Sequence, residues 1–285
     1  MSNVSKINII QHGIDGVGHQ LHGIISCLAL HNIGNYYFDG FVFMNKSFIF
    51  GHISKKVALQ VKKYFKEIAK KFIESEGQIK KKYTHLVYAH EVYNIPNNYD
   101  SNAIYLLDNS YYFNKIPINE LEYDKYLLNI CKQKDLFINS QLPAKRLCDK
   151  NVVIHLRQGD ALVTPRGVMI NKYNKDLNDL FPILINKYHD HTFYIHTDGD
   201  ASFLTNILSN KNTKFVVFDK NESVLNVLSD FIYSKVFIAG HSSLSTACIF
   251  LGNQKLVIIP NDIKHSIPST AIKIKNINAS ILNEK

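Results

Sequence analysis

Five short runs, Val152 to Leu156, Thr192 to His196, Lys214 to Phe218, Lys235 to Ala239 and Lys255 to Ile259, are largely apolar and rich in β-branched and aromatic residues. Runs of that length and composition form strands buried on both faces, as in parallel sheets. Stretches with helical spacing separate them, at Lys172 to Tyr188, Ala201 to Leu208, Ser223 to Tyr233 and Ser243 to Leu251. Strand, crossover helix and strand repeated in this order predict a doubly wound α/β sheet, whose ligands bind beyond the carboxyl ends of the strands.

The first half carries the same alternation less cleanly. Lys6 to Gln11, Tyr37 to Phe43, His85 to Ala89 and Ala103 to Leu107 read as strands, and Gln20 to His31 and Ser54 to Glu74 as helices. A helical region from Ile118 to Cys148, broken near Pro143, separates the halves and sets an expected boundary near Asp149. The expected architecture is two Rossmann-like α/β domains facing a cleft, residues 1–148 and 149–285, with a nucleotide held by the second. A chain of 285 residues with 46% hydrophobic content can bury cores of that size.

Composition narrows the setting. The apolar run Ile7 to Ile10 is too short for a signal-peptide core or a membrane span, and Cys27, Cys131, Cys148 and Cys248 form no Cys-x-x-Cys pair. A cytosolic protein with reduced thiols is expected. The net charge of +9 suits phosphorylated substrates, an anionic membrane surface or nucleic acid. Much of it lies between Lys55 and Lys82, where Lys62, Lys63, Lys66, Lys70 and Lys71 face away from a stripe of Val57, Val61, Tyr64, Phe65, Ile68 and Phe72. That face is either solvated or rests on anionic lipid. Its aromatics follow the buried stripe and do not alternate with exposed lysines for base stacking, which argues against a nucleic-acid module.

The residues after each strand carry the candidate chemistry. They are Arg157-Gln158-Gly159-Asp160, Thr197-Asp198-Gly199-Asp200 and Gly240-His241-Ser242-Ser243-Leu244-Ser245, together with the turn His12-Gly13-Ile14-Asp15-Gly16-Val17-Gly18-His19-Gln20. Arg157 offers a permanently charged planar fork that matches phosphate oxygens, or else an ion pair with Asp160. Ser242, Ser243 and Ser245 open a helix, where hydroxyls and unpaired N–H groups either cap the helix or bind an anion. Together they could hold a diphosphate leaving group without a metal. Asp198 and Asp200 leave a second route open, a divalent ion shared by two carboxylates. The glycine-rich turn lacks the Lys and Ser or Thr of a P-loop, and Gly13, Gly16 and Gly18 do not fit the Gly-x-Gly-x-x-Gly order.

His155-Leu156-Arg157-Gln158-Gly159-Asp160 resembles the His-x-Arg-Arg-x-Asp motif of the α-1,2-, α-1,6- and protein O-fucosyltransferases. Gly16-Val17-Gly18-His19-Gln20-Leu21 is similar to the Gly-x-Gly-Asn-Gln-Leu turn of bacterial α-1,2-fucosyltransferases. The strand from Phe193 to Asp198 resembles theirs ending in Ser-Asp or Thr-Asp, and His241-Ser242-Ser243-Leu244-Ser245 resembles their Asn-Ser-Ser-Phe-Ser. The resemblance implies a GT-B-like fold and an inverting, metal-independent transfer from GDP-β-L-fucose to a hydroxyl of a surface-glycan or lipopolysaccharide precursor, with no cofactor.

Carried over by position, the resemblance implies that Arg157 binds the β-phosphate and that His155 and Asp198 help hold the guanosine. It places Ser243 and Ser245 near the diphosphate, Asp160 as a brace of its own loop, and Gly16, Gly18, His19 and Gln20 on the cleft from the other domain. Gln158 stands where the family often has a second Arg, His19 replaces Asn, and Thr246-Ala247 replaces an aromatic pair. Those departures leave another nucleotide sugar open. An inverting enzyme needs a base for the acceptor hydroxyl, and Asp15, His19 and His22 are the candidates, Asp15 first.

Overall fold

A computed structural model describes residues 7–13, 17–30, 36–43, 73–74, 85–89, 99–100, 102–107, 127–132, 134, 146–158, 162, 167–199, 213–263 and 271–277. The chain divides into two compact units, Met1–Leu142 and Pro143–Lys285.

The first unit contains β1 (Ile7–Gly13), α1 (Val17–Leu30), β2 (Tyr36–Phe43), β3 (Ile73–Glu74), β4 (His85–Ala89) and β5 (Ala103–Leu107). Every pairing is parallel, and the five strands lie in the order β3-β2-β1-β5-β4. β1 is central, with a register shift between Ile9 and Gln11 where it runs beside β2. Leu21, Ile25 and Ala29 recur every fourth residue and are buried, which makes them the inward stripe of α1. Asn129 Nδ2 donates to the Ala29 carbonyl at 3.0 Å and ties helical residues 127–132 to the end of that helix.

The second unit contains β6 (Asn151–Leu156), α2 (Gly167–Lys187), β7 (Thr192–Thr197), β8 (Lys214–Phe218) and α3 (Val224–Tyr233). They are followed by β9 (Val236–Ile238), α4 (Ser243–Leu251), β10 (Leu256–Ile259) and β11 (Ala271–Lys273). Six parallel strands lie in the order β11-β10-β9-β6-β7-β8. Counted from β6, this is the strand order of doubly wound dinucleotide folds, with the direction of winding reversing between β6 and β9.

Period two decides which side chains meet which helices. Val152, Ile154 and Leu156 of β6 and Phe193 and Ile195 of β7 join Tyr173, Leu177, Phe181 and Leu184 of α2 in one buried cluster. The alternate residues His155 and His196 point to the other face, where both rings pack on Phe231 of α3, at 5.0 and 5.3 Å between centroids. β6 is buried along its whole length, as a central strand covered on both faces must be. Buried Asn151 stitches the start of the sheet, donating to the Cys148 carbonyl at 2.5 Å and accepting from the Lys235 N–H at 2.9 Å.

Two expectations from the sequence change. Ile73–Glu74, assigned above to the end of a long helix, is a short strand paired with Phe41 and Val42 of β2; residues 54–72 and the expected helix at 201–208 lie outside the described residues. Residues 146–148, the end of the expected helical region, are not helical. The division after Leu142 leaves residues 146–148 with the second unit. Arg146 explains this: it donates to buried Asp230 of α3 from Nε, at 2.9–3.0 Å, and from Nη2, at 2.6 Å, and to Glu222 from Nη1 at 2.9 Å. Its guanidinium also lies over the Phe218 ring, 4.3 Å from the centroid. These contacts fasten the segment to the second unit.

Candidate functional site

In doubly wound sheets ligands bind beyond the carboxyl ends of the strands where the winding reverses, here between β6 and β9, and polar residues of the second unit follow these strand ends. From β6 come His155, Arg157 and Gln158; from β7, Asp198; from the β9 end, Gly240, His241 and the start of α4. The strand ends approach closely at Gly240. A Cβ there would lie 2.5 Å from the His155 carbonyl oxygen and 3.3 Å from the Arg157 nitrogen, so this position requires glycine.

Arg157 is held by Asp198. Its Nη1 donates to Asp198 Oδ2, and the Gln158 N–H donates to Asp198 Oδ1 at 2.6 Å. The strand register explains the match, because His155 of β6 is opposite His196 of β7 and each strand continues two residues to this pair. Arg157 thus makes an ion pair with Asp198; Asp160, the partner considered from the sequence, and Asp200 lie outside the described residues. Asp198, expected against guanosine or a metal, has both carboxylate oxygens engaged by the Arg157 loop.

His155 is buried, and its Nδ1 is bonded to the Ser245 hydroxyl of α4. Burial first, then the positive charge of Arg157 and the neighbouring His196, lowers its pKa to about 3, so the ring is neutral. Ser245 is fully buried with its hydroxyl turned toward His155, which joins the tip of β6 to the first turn of α4. Ser242 caps that helix, accepting from the Leu244 N–H at 3.2 Å, and Ser242 and Ser243 are partly exposed. The start of α4 thus presents a capped, partly accessible N-terminus whose N–H groups favour an anion.

Buried Asp230 also accepts from His196, with Nε2 at 3.0 Å from Oδ2. His196 stacks on Phe218, 4.7 Å between centroids. Arg146, Asp230 and His196 therefore form one chain of charge-assisted bonds behind the site, which the sequence reading did not single out. No group of three or more His, Cys, Asp or Glu side chains able to hold a metal ion occurs among the described residues.

In the first unit, Gly18 is buried in the first turn of α1, and His19 and Gln20 lie on the same helix. Asp15 and Gly16 lie outside the described residues. His22 is buried, and its carbonyl accepts from Ser26 Oγ at 2.9 Å.

No protein-family model matches the chain, and no curated protein matches it by sequence. Among solved structures it is similar to POFUT1 in complex with GDP, with a TM-score of 0.51 at 10% identity, covering 96% of this chain and 99% of that one. It is also similar to the E. coli heptosyltransferase WaaC with ADP-2-deoxy-2-fluoro heptose, with a TM-score of 0.43 at 12% identity over 98% of each chain. A glycosyl transferase family 9 protein from Veillonella parvula gives 0.45 at 9% identity, over 94% of this chain and 85% of that one. The two parallel sheets and the whole-length likeness to POFUT1 establish the α/β fold of a GT-B type.

Proposed function

We propose that the chain is an inverting, metal-independent glycosyltransferase that moves L-fucose from GDP-β-L-fucose to a hydroxyl of a surface-glycan precursor. One observation carries the reading: at the winding reversal of a doubly wound sheet the Arg157 backbone comes close to Gly240, two residues ahead of the Ser242 cap of α4. In the reaction the acceptor oxygen forms a bond to the sugar's anomeric carbon as the bond from that carbon to the β-phosphate oxygen breaks. Negative charge builds on the departing diphosphate, and the guanidinium and helix N–H groups stabilise it there more than in the ground state. The acceptor proton passes to a base on the glycine-rich turn, for which Asp15 is the candidate, with Gly16, Gly18, His19 and Gln20 contacting substrate beside it.

In this reading Asp198 is a positioning residue, holding the Arg157 fork and the following N–H in one orientation. His155, through Ser245, locks the strand tip to the helix. A divalent ion on Asp198 would have to displace both of its present donors, which favours the metal-free mechanism over the metal-dependent alternative. Among the described residues no helix is long and apolar enough to cross a membrane. A cytosolic enzyme touching the inner membrane face through Lys55 to Lys82 fits an acceptor built on lipid, and that segment lies almost wholly outside the described residues.

The test is release of GDP from GDP-β-L-fucose by purified protein with glycan acceptors. Removing a donor that acts on developing charge costs about 10²–10³ in kcat. Arg157→Ala should show such a loss and Arg157→Lys most of it, since a lysine lacks the planar fork. EDTA should leave the wild type active. Full activity in Arg157→Ala, or abolition by EDTA that added Mg²⁺ reverses, would contradict the reading.

A further inference from the structure

Among the described residues, Tyr173 Oη, Asn174 Oδ1, His196 Nδ1 and His241 Nε2 are buried without a hydrogen-bond partner. Two of these belong to side chains that touch: the Tyr173 and His241 rings meet edge to face, 5.7 Å between centroids. Tyr173 is only 3% exposed and projects from α2 into the cluster with Ile154 and Leu156, on the opposite face of β6 from His155. His241 follows the β9 end directly, one residue ahead of the α4 cap. Its Nε2 lies 2.9 Å from Asp262 Oδ1, beyond β10, but out of line for a hydrogen bond. Buried polar groups are paired in nearly all native structures, so two adjacent orphans at the ligand end of a sheet point to a partner that arrives with substrate.

The surroundings select the kind of partner. Burial pushes the Tyr173 hydroxyl far above its ordinary pKa, so it stays protonated and can both donate and accept. Burial, aided by the charge of Lys273, lowers the His241 pKa against the pull of Asp262, which favours a neutral ring. A phosphate would face the Asp262 carboxylate, whereas a neutral hydroxyl, itself both donor and acceptor, can use all three groups.

We propose that Tyr173, His241 and Asp262 form a recognition site for hydroxyls of a sugar ring of the donor nucleotide, separate from the diphosphate contacts of Arg157 and the α4 start. The inference rests on the proposed function. Two rings share that chemistry, the ribose and the transferred hexose, and one conservative variant tells them apart.

Tyr173→Phe removes a single oxygen from a buried site. With no partner for that oxygen in the unliganded protein, its removal should raise the melting temperature by roughly 2–4 °C. Affinity for GDP-β-L-fucose, measured by calorimetric titration, should fall about tenfold, the worth of one good hydrogen bond. GDP is titrated in parallel. Equal losses for GDP and GDP-β-L-fucose assign the site to the ribose, and a loss confined to GDP-β-L-fucose assigns it to the transferred sugar. Unchanged affinity for both ligands, or a lower melting temperature, overturns the inference and leaves the proposed function standing. A wild type that binds neither ligand removes both.

Discussion

His155 makes the stability of the second unit depend on acid in a way that can be isolated. The ring is neutral when folded, with its pKa lowered from 6.5 to about 3, chiefly by burial. The sign follows from linkage. A group depressed in the folded state contributes stability that is fully present above its unfolded pKa, near 6.5, and is lost as pH falls toward the folded value. Each pH unit below 6.5 therefore costs about 1.4 kcal/mol until the folded ring itself titrates. At pH 5 this single group removes about 2 kcal/mol, from 1.5 units at 1.36 kcal/mol each. His155→Asn removes the titration while keeping an amide where Nδ1 meets the Ser245 hydroxyl. Urea unfolding of both proteins at pH 7, 6, 5.5 and 5 reads the effect as a difference in slope. A lower level for the variant at pH 7 reflects lost packing on Phe231 and does not enter that difference. The wild type should lose about 2 kcal/mol relative to His155→Asn between pH 7 and 5. Parallel curves would refute a neutral, buried His155 and with it the lock between β6 and α4.

Gly240→Ala forces a methyl group to 2.5 Å from the His155 carbonyl, so the strand tips must part. About 1–3 kcal/mol of stability should be lost in urea unfolding, with a fall in kcat near 10²-fold as Arg157 shifts; a fully active, equally stable variant would contradict the close approach. Arg146→Ala strands the Asp230 carboxylate, which is 1% exposed, with His196 as its remaining charge partner among the described residues. It should cost about 3–5 kcal/mol in the same assay, far beyond a surface ion pair, and a loss below about 1 kcal/mol would show that the network is screened by solvent.

The strands of the second unit were legible because central parallel strands must be apolar on both faces. The helix Ser243–Leu251 matches the span read from the sequence residue for residue, and so does Lys214–Phe218, although it is an edge strand that is not buried on both faces as expected. Short edge elements were not legible. Ile73–Glu74 continues a helical apolar period and becomes a strand only by pairing with β2, and Ala271–Lys273 is three half-buried residues beside β10. The site shows the same limit. Arg157 and the serines could be named from their places after strands, but a partner of Arg157 on the neighbouring strand could not. Asp198 becomes that partner through the β6–β7 register, which aligns positions 41 residues apart. The tie between Arg146 and Asp230 spans 84 residues with no local signal. Tyr173 reads from its spacing as an ordinary core residue of α2, and only its unpaired hydroxyl sets it apart.

Calorimetric titration of GDP into wild type and Arg157→Ala, both in EDTA, tests most directly whether a guanidinium and a helix start grip the diphosphate unaided. Wild type should bind, and the variant should bind at least tenfold more weakly, as expected for loss of a charge-assisted bond. Equal affinities, or wild-type binding that appears only when Mg²⁺ is restored, would contradict that claim.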